Sequence, residues 1–264
     1  MAGQGSHASC GNYPDWKQPD HYAALTRVDR RAFAWEWLRR TPAYRAAWRD
    51  RNSDVLPLVA SRHFGLEQFE DPSLPAPFAR PVWSGSVDPT VIRAAVDNAM
   101  AASNERIDLR ELAPFVSVAI DDDHIEHLLL SDGVRSVRID VLEGTLIGVP
   151  ASVRYLLGGI ASIAAPLPSL GRLINLVQEG RLRESAAATS RRQARWILEL
   201  RTADAIAAGA DQQDIARTLF GSVVADQRWR RDNAAYRQRA QRLVRSARQR
   251  LVAPLDQRWF EPPR

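Results

Sequence analysis

Residues 191–250 carry fourteen arginines against six carboxylates (Glu199, Asp204, Asp211, Asp214, Asp226 and Asp232), a surplus of eight positive charges. The whole chain has a surplus of only five, so the remainder is slightly acidic. Arginine presents its donors in a planar fork that matches phosphate and the guanine edge bidentately. Lys17 is the only lysine, so the cationic chemistry of this region is all guanidinium. Arginine-rich codon usage would explain the residue type but not the clustering. A local excess of this size is what docking to a polyanion requires.

The elements that must position these side chains are helices. In residues 232–252, Tyr236, Ala240, Leu243, Ala247 and Leu251 fall in one narrow sector at about 100° per residue. Nearly opposite lie Gln238, Gln241, Arg242, Arg245, Arg248 and Gln249, with Arg237 and Arg239 on the flanks. Arg and Gln make bidentate contacts to guanine and adenine, and a recognition helix reads mainly with its N-terminal residues. Arg237, Gln238, Gln241 and Arg242 are therefore the expected base contacts. Arg228, Arg230, Arg231, Arg245 and Arg248 are expected to hold phosphates. The plainer alternative is a solvated arginine face, but such faces usually mix signs, and no carboxylate follows Asp232 before residue 252.

Upstream, AGADQQDIARTLFG (208–221) has the form of the first helix of a helix-turn-helix. Gly209 ends the preceding helix and Asp211 caps the next. Asp214 suits its first turn, Ile215, Ala216 and Leu219 pack inward, and Gly221 stops it. The usual turn of such a motif is about 3–4 residues. Here 221–231 intervenes, with Trp229 among three arginines, so the turn is expected to be extended.

Elsewhere, residues 14–50 show Leu25, Val28, Ala32 and Trp35 at helical spacing, with Phe33, Trp37 and Leu38 as a second apolar sector. A helix with two apolar sectors needs burial on two sides. Either it forms a small helical core, or Phe33, Trp35, Trp37 and Leu38 contact another domain or a partner protein. Thr41 is placed to cap a second helix with Pro42 in its first turn. Five prolines in residues 70–89 suggest an irregular linker, and a helix is expected at 90–102. Residues 115–142 switch to period two, and Asp132-Gly133 between β-rich runs signals a hairpin. Beyond Gly148 the pattern predicts helices at 150–164, 168–179, 190–208, 211–219 and 232–252.

Composition is that of an ordinary soluble chain, with 45% hydrophobic and 25% charged residues. Cys10 is the only cysteine, which excludes an intrachain disulfide framework and fits a reducing cytoplasm. The first residues lack a basic cap followed by an apolar run, so they do not read as a signal peptide. The apolar tract 155–167 is broken by Gly158, Gly159 and Pro166 and is shorter than the roughly 20 residues a span needs. It reads as a kinked core helix. Asp121, Asp122, Asp123, His124 and His127 include metal-ligand types, but they fall at a hairpin end where polar residues belong anyway, and no metal or cofactor is expected. Tyr236 falls on an apolar face and reads as core rather than as a nucleophile. With no phosphate loop, nucleophile elbow or H-E-x-x-H string, the chain is not expected to be an enzyme.

Three strings carry a family resemblance: PDW…YAAL…DRRAFAWEWLRRTPAYR, FEDPSLPAPFARPVW, and LRTADAIAAGADQQDIARTLFG…W…AAYRQRAQRLVRSARQRL. On them the chain resembles the FseA-type proteobacterial activators of conjugative-element transfer, over nearly its whole length. The resemblance implies a C-terminal helix-turn-helix variant with an extended turn, one face binding DNA and the other contacting the N-terminal aromatic domain. It implies a role in switching on excision and transfer genes of a mobile element. Related short proteins lack the N-terminal domain, have an acidic C-terminal surface and act as antiactivators; this chain has both parts and a basic helix.

The expected fold is therefore mainly α with a small β-hairpin or ribbon. The expected division is a disordered leader (1–12), an N-terminal aromatic helical domain (13–72), a Pro-rich linker with one helix (73–112), and a hairpin-plus-helical DNA-binding domain (113–264). The expected partners are double-stranded DNA, an antiactivator protein and RNA polymerase, in the cytoplasm and without a membrane. The alternative function is a protein-docking regulator that uses the helix-turn-helix as an interaction module.

Overall fold

The computed structural model describes residues 13–52, 57–97, 106–182, 191–221, 234–255 and 259–260. The contacts divide the chain into two compact units that interleave along the sequence. One comprises Arg27–Ala188 with Ala253–Arg264, the other Met1–Thr26 with Thr189–Val252.

The larger unit begins with α1 (Arg30–Leu38), whose N-terminus is capped by the Asp29 carboxylate accepting from the Ala32 N–H. Phe33, Trp35, Trp37 and Leu38 are all fully buried in this unit, which supplies the two-sided burial their pattern demands. In α2 (Pro42–Arg49), Thr41 caps and Pro42 stands in the first turn. A short α3 (Pro57–Arg62) follows. Trp35 meets the edge of Tyr44 at 5.6 Å between ring centroids and donates from Nε1 to the Leu74 carbonyl at 3.0 Å. Phe33 stacks on Trp259 at 6.1 Å, and Phe260 packs against Trp83 at 5.1 Å, so the end of the chain returns to this core. Glu36, buried on the same helix, accepts from Arg39, Arg40 and the Ala76 N–H. Burial alone would raise its carboxyl pKa, but Arg40 and Arg39 outweigh that and hold it below the ordinary value.

The expectation of a mainly α chain with a small hairpin does not hold. The unit is built on a six-stranded mixed sheet in the order β2-β6-β1-β5-β4-β3. The strands are β1 (Ile92–Asp97), β2 (Arg106–Ile107), β3 (Val116–Ile120), β4 (Glu126–Ser131), β5 (Ser136–Glu143) and β6 (Ala151–Tyr155). β1 runs parallel to β5, and the other pairs are antiparallel. Where a helix was expected at 90–102, residues 92–97 instead form β1, and residues 98–102 lie outside the described residues. Ile92, Ala94 and Ala95 are all fully buried, and a short apolar run without alternation does not distinguish a strand from a helix. The helix expected at 150–164 is replaced by β6 and the four-residue α4 (Ile160–Ile163), because β6 finds pairing partners in β1 and β2. The hairpin signal itself holds. Gly133 joins β4 to β5 at φ 87°, and a Cβ there would collide with the Pro77 carbonyl. One face of the sheet buries Ile92, Leu128, Leu130, Val137, Ile139 and Val141 in a core shared with Leu173 and Leu176 of α5 (Leu167–Glu179).

On β4, His127 is 4% exposed and faces a ring of charges. Its Nδ1 lies 2.7 Å from Asp140 across the strand pair, and its Nε2 is 3.4 Å from Asp121 and 3.8 Å from Glu67. Arg138 pairs with Asp140, and Arg62 bridges Glu67 and Asp121. Burial lowers the imidazole pKa, but the hydrogen bond and charge of Asp140, with Glu67, more than reverse this and raise it above the ordinary value. A group raised in this way contributes stability fully present below about pH 6.5 and lost as pH climbs through the folded value. The denaturation midpoint is therefore expected to fall above about pH 6.5 in the wild type, and His127→Gln to flatten that limb. An unchanged slope in the variant would exclude this source. Among the described residues, no group of three or more His, Cys, Asp or Glu is arranged to hold a metal, and no helix is long and apolar enough to cross a membrane.

Among its described residues, the smaller unit contains a 3-10 helix (Pro19–Thr26) packed with α6 (Arg191–Ala207), α7 (Gln212–Phe220) and α8 (Ala234–Val252). Trp16 is buried against Ala205 and Ile215. Tyr22 donates to Asp204 at 2.6 Å, Arg201 donates to the Trp16 carbonyl at 3.0 Å, and Gln193 donates to the Leu25 carbonyl at 2.9 Å. Residues near the start of the chain thus complete a unit whose other helices lie near its end.

Candidate nucleic-acid interface

Local sequence sets the geometry of α6 to α8. Gly209 takes the left-handed conformation that ends α6, at φ 79°. Asp211 and Asp214 form a reciprocal capping box at the start of α7, and Gly221 closes it. Ile215 and Ala216 face inward from α7. They meet Ala240, Val244 and Tyr236 of α8, while Leu243 and Ala247 complete its buried side. The inward face read from the sequence is therefore the inward face of the helix, with Leu251 half-buried at its end.

This packing turns the opposite face outward. Gln238, Gln241, Arg242, Arg245, Arg248 and Gln249 are all exposed, on a helix that spans about 28 Å. Arg237 lies half-buried on the flank, where its carbonyl accepts from Gln212 at 3.4 Å. α8 carries no carboxylate, so its outward face has one sign of charge. Arg228, Arg230 and Arg231 lie outside the described residues, as do Trp229 and Asp232.

Two other α8 arginines have structural partners. The Arg239 guanidinium stands 4.8 Å from the centroid of the Phe220 ring, and Arg250 pairs with the buried Glu199 at 2.8 Å. Sequence reasoning passed over Glu199. Its i,i+4 spacing from Arg195 was visible, but its contacts with Ser246 and Arg250 cross between helices about fifty positions apart. Phe33, Trp35, Trp37 and Leu38, considered as a partner contact, are placed in the core of the larger unit.

Two family models match the chain. Residues 15–68 match a proteobacterial transcriptional regulator-like domain. Residues 163–252 match the DNA-binding domain of a T6SS transcription factor, a stretch that runs from α4 to the end of α8. No curated protein matches the chain significantly. The chain is thus similar in one segment to transcriptional regulators and in another, which contains the exposed Arg/Gln face, to a DNA-binding domain; together these support a DNA-binding transcription regulator.

Proposed function

We propose that this protein is a sequence-specific transcriptional activator of the FseA type that controls excision and transfer genes of a mobile genetic element. The observation that carries the DNA-reading part is α8: a single-signed outward face of Arg and Gln on a helix fixed from behind by α6 and α7. The major groove admits one α-helix, and those two side-chain types match guanine and adenine edges there. Support for the mobile-element role is the resemblance carried by the three strings quoted above. In this reading the protein acts in the cytoplasm without catalysis or cofactor, with RNA polymerase and an antiactivator protein as further partners.

The test is binding of the full chain to DNA upstream of neighbouring transfer genes, and to a scrambled duplex, across a salt series. Tight, sequence-selective binding is expected, with a log–log salt slope of about −0.9 per phosphate contacted. Absence of binding at low salt, or equal binding to both duplexes, would sink the reading. A shallow slope with a captured protein partner would instead favour a docking module.

A further inference from the structure

Glu199 of α6 is 1% exposed, and both of its oxygens are engaged. One accepts from Arg195 Nε and Ser246 Oγ, each at 3.0 Å. The other accepts from Arg250 Nε at 2.8 Å. A buried carboxylate must be compensated, and α8 supplies a partner to each of its oxygens, Ser246 to one and Arg250 to the other, in addition to Arg195. Exposure separates the two arginines. The Arg250 side chain is 16% exposed and the Arg195 side chain 67%. One carboxylate between two guanidiniums leaves a net positive charge at the α6–α8 seam.

This seam borders the proposed reading face. Ser246 lies four residues after Arg242 and three before Gln249, so both are its neighbours on the surface of α8. Arg195 contacts the same carboxylate oxygen as Ser246 and therefore stands at the edge of the exposed Arg/Gln face. Arg192, three residues earlier on α6, is also exposed and lies on the same side of that helix. An ordinary surface ion pair would leave Arg195 tied to a solvated partner. Glu199 is instead buried and also partnered by α8 at each oxygen.

We propose that Arg192 and Arg195 form a second, sequence-independent contact, holding backbone phosphates that flank the groove entered by α8. This rests on the DNA-reading function proposed above. Phosphate contacts fix register and orientation but carry no sequence information directly. The pair would therefore set how α8 lies in the groove rather than which bases it prefers.

The experiment compares the full-length wild type with Arg192→Ala/Arg195→Ala on the cognate and scrambled duplexes across a salt series, alongside the denaturation midpoint. The expected result is a salt slope shallower by up to about 1.8, corresponding to two lost phosphates. Affinity should fall by the same factor on both duplexes, with the cognate-to-scrambled ratio and the midpoint unchanged. Wild-type slope and affinity in the variant, an altered ratio, or a lowered midpoint would each overturn the inference while leaving the DNA-reading function standing. If the wild type itself shows no salt-sensitive selective binding, both fall together.

Discussion

Replacing Gln241 and Arg242 together by alanine is expected to weaken binding to the cognate duplex by at least about 30-fold at fixed salt. Each bidentate contact to a base edge is worth about 1–3 kcal/mol, and about 1.4 kcal/mol is a factor of ten, so two contacts give between about 30-fold and 10⁴-fold. Both side chains are exposed, and the hydrogen bond of Arg242 Nε runs to the Gln238 carbonyl within its own helix. The substitutions remove nothing from the α6–α8 core, and alanine is a good helix former, so the fold should stand. Fluorescence anisotropy on cognate and scrambled duplexes reads the outcome. A loss confined mainly to the cognate duplex identifies base readers. An equal loss on both would assign the two residues to phosphates and move the reading to other positions on α8.

Trp35→Ala is expected to destabilise the larger unit by about 3–5 kcal/mol, a large share of the roughly 5–15 kcal/mol that holds a typical domain together. Trp35 is fully buried, edge-on to Tyr44, and satisfies the Leu74 carbonyl. Alanine removes the packing and strands that acceptor within the Pro-rich segment. Urea denaturation should show a lower midpoint, and a shift worth less than about 1 kcal/mol would mean the site collapses around the gap. An activation assay on this variant would report stability before it reported any partner contact. Trp35→Phe, which keeps an aromatic ring but loses the donor, separates the two contributions.

What the sequence revealed, and what it hid, follows from the range of the interactions involved. Gly209, Asp211, Asp214 and Gly221 act within a turn of where they stand, and they set the ends of α6 and α7. Asp132-Gly133 acts across one hairpin. The two faces of α8 were readable because the helical period displays them in order. The sheet was not. β1 is read correctly only once β5, more than forty residues away, is known to lie parallel beside it. Consecutive Ala94 and Ala95 are both buried, so β1 lacks the strict alternation that marks a strand covered on one face only. β6 runs directly into the apolar tract 155–167, and nothing local to those residues marks where strand gives way to helix. At the candidate interface, the arginines were visible but their partners were not. Only packing distinguishes Arg250, engaged by a buried carboxylate, from Arg245, left outward.

The burial of Trp16 against Ala205 and Ile215 also constrains when this protein becomes competent during synthesis. The Trp16 carbonyl and the Arg201 that binds it are 185 residues apart, so the ribosome makes one of them well before the other. At about 5–20 residues per second, the tryptophan waits roughly 10–40 s for the helices that will cover it. During that interval it is an aromatic side chain without the helices that bury it in the finished unit. Val244 of α8 packs against the same cluster, so Trp16 gains its full cover only once the last helix of the bundle has been made.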